Sequence, residues 1–222
     1  MDLLAGLPSA PDDPPEFCIL RGVRLGPRTL MHVQAILLAV FVTISCNSLN
    51  HLENICNCLA LLPDASDYRH NAKHVPIPSG TPMQITVLDI LAWPQTEVLP
   101  PDAPRSGREL QLVQVVQAYL INASENPGDC DVHLEIAATP DKNAPRVIIE
   151  TPVDTEYCSN RQLIQSTLAR HGFKMDTTHG GDLVRPLPIS VLGLPFEDFE
   201  HGRGSPQVAT LWEIHPALVT FL

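Results

Sequence analysis

The chain has 222 residues, of which 44% are hydrophobic, 5% aromatic and 22 are proline. So many prolines exclude a helical bundle, because each one inside a helix removes a backbone hydrogen bond. The formal net charge of −11 argues against nucleic acid as a partner, since phosphate binding draws on clustered Lys and Arg.

One core of ordinary domain size is expected, with a long N-terminal extension. The composition shifts along the chain divide it into an extension over 1–50, a linker over 51–82 and a mainly β domain over 83–222. Within the extension, the uncharged run Ala35–Ser45 follows Arg21, Arg24 and Arg28, the charge order of a secretory signal. It is shorter than the roughly 20 residues of a membrane span. Thr43-Ile44-Ser45-Cys46 loosely resembles a lipobox, making Cys46 a lipidation candidate and giving a route to N-terminal membrane anchoring. The acidic Asp2, Asp12, Asp13 and Glu16 are unusual before a signal, so translation from Met31 is an alternative to Met1. A docked helix in a cytoplasmic protein is the alternative to export.

Cys56 and Cys58 form a C-x-C pair, a weak metal signal that reads more simply as small apolar residues in a helix. Asp64–Pro82 is polar and interrupted by Pro76, Pro78, Gly80 and Pro82, the pattern of a linker; His70 and His74 are expected to be exposed there. Thr86–Trp93 is a short helix or a strand, stopped by Pro94.

The longest strand signal is Leu110–Ile121, whose apolar residues fall on both parities and whose β-branched centre favours a strand that curls around a barrel. After the turn Asn126–Asp129, Cys130–Ile136 alternates strictly. Asp131, His133 and Glu135 fall on one side, spaced about 7 Å apart, and Val132, Leu134 and Ile136 on the other. Arg146–Thr151 follows as a third strand, with Glu150 on the polar side. Ser159–Gln162 has the form of a capping box, and Leu163, Ile164, Thr167 and Leu168 recur along one side of a helix ending at His171-Gly172. A loop at Thr177–Pro186, a strand at Leu187–Leu194 and a last strand at Leu211–His215, ended by Pro216, complete the chain. Trp212 and Ile214 face the core there, and Glu213 and His215 point away.

Three strands, a helix and two strands is the order of a five-stranded OB-fold-like barrel, in which the third strand lies between the second and the fifth. That topology gathers Asp131, His133, Glu135, Glu150, Glu213 and His215 on one external patch. The pieces GDCDVHLEI, RVIIETP with Cys158 after it, LPISVLGLPFEDFEHG and WEIHPALV resemble a family of uncharacterised bacterial secreted proteins. In that family D-G-D-x-H-L, E-x-P, G-x-x-F-F-D-x-x-H-G and E-L-H-P motifs recur in the same order. The resemblance spans about Glu109 to Leu218 and implies a barrel and an export route rather than a known reaction. Cys130 departs from the family's small turn residue, and Gly202–Pro206 from its G-Q-T-G loop. A more distant similarity is to the thermonuclease barrel, although the arginine-rich phosphate site of that family has no counterpart here.

Two kinds of chemistry fit the polar side chains. Either they hydrogen-bond one another and fix strand register, or His133, His215 and Glu213, with Glu135, Glu150, Asp198 and His201 nearby, hold a divalent metal ion. The corresponding functions are an exported binding or scaffold module for an unidentified ligand or protein, and a metal-dependent hydrolase. Cys130 and Cys158 are the cysteines of the barrel region, and a disulfide between them is expected in an exported protein.

Overall fold

The computed structural model describes residues 54–56 and 68–222, apart from 97, 177 and 203. The apolar run 35–45, Cys46, the alternative start Met31 and Cys58 lie outside the described residues. Strands β2 (Val113–Glu125), β3 (Val132–Ala137), β4 (Arg146–Thr151), β5 (Gly181–Glu197) and β6 (Val208–Phe221) form a closed ring. Its order is β2-β3-β4-β6-β5, with β5 pairing back onto β2. A short strand β1 (Met83–Ile85) lies parallel to β2. The third barrel strand β4 runs parallel to the fifth, β6. With one long helix between the third and fourth barrel strands, this is the expected OB-fold-like arrangement.

Both faces of β2 carry buried residues because the strand bulges. Its inward side runs Val113, Val115, Ala118, Leu120 and Ala123. The parity changes at the register shifts between Val115 and Ala118 and between Leu120 and Asn122. Gln117 takes up the first with a left-handed φ of 56°, the geometry that adds a residue and bends a strand. Leu110, the expected start, precedes this strand and ends the 3-10 turn Gly107–Leu110. Glu109 closes a capping box with Ser106 on that turn.

Prolines truncated the expected final strands, and the structure extends both. β5 runs through Pro186, Pro188 and Pro195, and β6 continues through Pro216, which follows a cis peptide bond. Gly193 pairs with Ala217 and Pro195 with Ile214, so His215 and Pro216 together oppose Leu194. That bulge moves the inward side from Trp212 and Ile214 to Ala217 and Val219. Gly193 allows the close approach, since a Cβ there would stand 2.3 Å from the Pro216 carbonyl oxygen.

The barrel helix Cys158–Arg170 is entered through a 3-10 turn at Thr155–Tyr157, so Ser159 lies inside it rather than at its cap. It ends at His171, with Gly172 in the left-handed region as expected. Arg161, Ile164, Thr167 and Leu168 face inward, whereas Leu163 faces solvent. Thr86–Trp93 resolves into a capped helix, Val87–Leu91.

The described residues of the stretch read as a linker, 54–56 and 68–82, dock on the barrel. A short helix at His70–Lys73 follows Arg69, which is 1% exposed. The Arg69 guanidinium makes two 2.7 Å bonds to Glu109 and also donates to the carbonyls of Ala103 and Pro104. Such fork-to-fork pairing fixes orientation as well as charge. Further along, Tyr157 Oη donates to the Val75 carbonyl at 2.7 Å. Cys56 is joined by a disulfide to Cys158. This corrects the Cys130–Cys158 expectation: Cys130 is itself disulfide-bonded but not to Cys158. Arg161, fully buried, ties the same region together by donating to the carbonyls of Ile55, Thr151 and Cys130.

Candidate functional site

The candidate site is the outer face of β3, β4 and β6. Strict alternation in β3 turns Val132, Leu134 and Ile136 inward and leaves His133 and Glu135 outward, with Asp131 just before the strand. β4 turns Val147 and Ile149 inward and Arg146, Ile148 and Glu150 outward. Antiparallel register sets His133 opposite Glu150, and the parallel pairing of β4 with β6 brings Glu213 opposite Ile148. His215 lies at the β6 bulge, a device that re-aims side chains beside sites.

Glu150 is the hinge of the cluster. One of its oxygens is 2.8 Å from His133 Nδ1 and the other 2.9 Å from His215 Nδ1. His215 Nδ1 is also 3.3 Å from Glu213, and its Nε2 is 3.3 Å from Asp131 Oδ2. On the far side Glu135 accepts from Arg146 at 2.8 Å, from the Ser205 amide at 2.7 Å and from the Ser205 hydroxyl. Arg146 continues to Asp182 at 2.7 Å. Gly204 lets this loop lie flat on the cluster, since a Cβ there would meet Glu135 Oε1 at 2.5 Å.

The cluster is buried, not external as expected. Asp131, Glu135, Glu213 and His215 are each about 1% exposed. Other parts of the chain cover it: the His74 ring lies 5.9 Å and the Phe196 ring 6.2 Å from that of His215. Arg105 donates to the carbonyls of His215 and Pro195, and burial lowers its pKa to about 10. His74, expected in solvent, instead pairs through Nδ1 with Asp154 Oδ2 at 2.7 Å. Asp198 lies 3.9 Å from Lys73 and 3.7 Å from His201, and both Asp198 and His201 line the cleft beside the cluster.

Charge in the cluster follows from this geometry. Burial pulls the His133 pKa down, but Glu135 and Glu150 outweigh it and raise it to about 10. Glu135 acts there through charge, being 3.9 Å from Nε2. Burial likewise works against a charged His215, yet Asp131, Glu150 and Glu213 hold its pKa well above the usual range. Glu150 is held well below the usual carboxylate range, against burial, by the two imidazoles. While both rings are protonated, neither takes up a substrate proton at neutral pH.

Beside the cluster opens a cleft of about 800 Å³, lined among others by His133, Glu150, Glu213, Asp198 and His201. Its described lining carries six carboxylates (Glu125, Asp129, Glu150, Asp176, Asp198, Glu213) against one lysine, Lys73. Burial, with Asp131 and Glu150 nearby, raises the Asp129 pKa to about 6.

Among the described residues, two sets bring three donor atoms within 4.8 Å of one another: Glu150, Glu213 and His215, and His74, Asp131 and His215. Of the three residues expected to hold a metal, Glu213 and His215 come together in one set, and His133 joins neither. Sequence reasoning missed Arg146 and His74. The parity of β4 carried a signal for Arg146, which shares its side with Glu150. His74 had only its four-residue spacing from His70, with no helical pattern around it, because its contact with Asp154 spans 80 residues. Compared with protein-family models, curated proteins and solved structures, the chain matches none, so the resemblance to the bacterial secreted family rests on its motifs alone.

Proposed function

We propose that this chain is an exported OB-fold-like binding module whose cleft takes a small cationic or amine-rich ligand. The observation that carries this reading is the charge of the cleft, six carboxylates against Lys73 and the protonated His133 among its described residues. Concave sites lined by one sign of charge concentrate ligands of the other. The cleft lies along the second and third barrel strands, β3 and β4, between the β2–β3 and β5–β6 loops, where barrels of this topology hold ligands. Export is supported by the disulfide chemistry of Cys56, Cys158 and Cys130, since such bonds persist in oxidising compartments.

Isothermal titration with spermidine and with a short oligolysine, using maltohexaose as a neutral control, tests the proposal. Binding of the amines, falling with added salt and weakened several-fold by Glu125→Gln on the cleft wall, is expected. Heat from the neutral sugar alone, or from none of the three, removes the reading.

A second reading, metal-assisted hydrolysis of a phosphodiester, is favoured by the donor set Glu150, Glu213 and His215. A bound cation there would polarise a phosphoryl oxygen or activate water. Cleavage of bis-p-nitrophenyl phosphate with added Mn2+ or Zn2+, lost in Glu213→Gln, would support it. No turnover above buffer with either ion would end it.

A further inference from the structure

The geometry points to a zinc-type metal site made by His74, Asp131 and His215, which clips the segment ahead of the barrel onto β3 and β6. This inference does not rest on the cleft reading, because none of the three residues lines the cleft.

Three observations carry it. First, Asp131 Oδ2 and His215 Nε2 are buried atoms without a hydrogen-bond partner, on residues that are each 1% exposed. They stand 3.3 Å apart, close enough for charge attraction but misaligned for a hydrogen bond. As an ion pair without hydrogen-bond geometry, they leave part of the cost of their burial uncompensated. A separation of roughly 3.3 Å is also what two donors bound about 2 Å from one tetrahedral ion have.

Second, a ring nitrogen of His74 completes the set within 4.8 Å. His74 is held in place from several directions. Arg69 anchors the start of its segment on Glu109, and Tyr157 fixes Val75 on its other side.

Third, each donor group has a further polar partner that would orient it. His74 Nδ1 meets Asp154 at 2.7 Å and His215 Nδ1 meets Glu150 at 2.9 Å, while Asp131 Oδ1 accepts from the Val153 amide at 2.8 Å. Carboxylates behind ligating histidines set the ring orientation and raise its basicity. Two imidazoles and one carboxylate suit zinc and its first-row neighbours better than magnesium or calcium. The ion takes the place of a ring proton, as at any histidine site.

The test uses the full-length chain with free thiols alkylated, stripped with EDTA, then titrated with Zn2+ alone and separately with Co2+ for its visible spectrum. About one equivalent of zinc is expected. His74→Ala should weaken binding at least 100-fold while near-ultraviolet circular dichroism stays unchanged, because His74 is outside the barrel strands. Asp154→Asn should weaken it by about 10-fold to 100-fold. If the protein takes up no zinc, the inference is overturned. It is equally overturned if His74→Ala keeps a full equivalent, and loss in Glu213→Gln alone would then place the ion at the other donor set.

Discussion

The two faces of β3 and β4 are both buried, and for opposite reasons. Inward, Val132, Leu134, Ile136, Val147 and Ile149 join one apolar cluster with Ile164, Leu168 and Ile214. The hydrophobic effect alone holds that side, and it asks only for the right volumes. Outward, Glu135, Arg146, Glu150 and His215 are almost as inaccessible, but every charge there is tolerated only because another stands beside it. Removing one partner leaves the other stranded. The inner face therefore specifies a shape, and the outer face a pattern of charges and a pH range in which that pattern exists.

Substitutions separate the two faces. Glu150→Gln should be the most damaging, about 3–5 kcal/mol in urea unfolding, because it strands the buried His215 and the half-buried His133. A loss under 1 kcal/mol would mean that the histidines are neutral in the folded chain. Leu134→Ala should cost about 3 kcal/mol through lost burial and a cavity. Its cost should hold across the pH range, unlike that of any outer-face change.

Acid should act on the outer face first. Burial favours a neutral Glu135, but His133, Ser205 and Arg146 hold its pKa at about 2. Because the folded value is depressed, the unfolded chain takes up the proton first. The contribution of Glu135 is therefore present above about pH 4.5 and lost as pH falls from there towards 2. It amounts to at most about 3 kcal/mol. Urea midpoints measured from pH 6 to pH 2.5 should show this decline in the native chain and a smaller one in Glu135→Gln. Equal slopes would remove Glu135 from the account. The smallest effect belongs to Leu163→Ala, below about 0.5 kcal/mol, because that side chain faces solvent.

Much of this arrangement was legible in the sequence. The strict alternation of β3 and β4 separates the two faces unaided, and the strand and helix order gives the barrel. Alternation does not reveal whether the polar face is covered. The cover comes from residues 68–75 and from Arg105 and Phe196, held by contacts across long stretches of chain that leave no local periodicity. Prolines 186, 195 and 216 read as breaks because a proline cannot donate to a ladder. In a barrel whose strands bulge and shift register, positions arise where that donor is not required. Leu163 was misplaced for a related reason. The helix turns Arg161 inward to serve three carbonyls, which rotates the buried side away from Leu163.

The bond between Cys56 and Cys158 spans 102 positions and encloses β1 to β4, together with the exposed turn at Thr139–Asn143. A protease that nicks this turn would sever the backbone without releasing a fragment. The two pieces would stay tethered and migrate as one species until a reductant separates them. In an environment rich in peptidases, that covalent enclosure lets the protein survive a cut at this exposed hairpin.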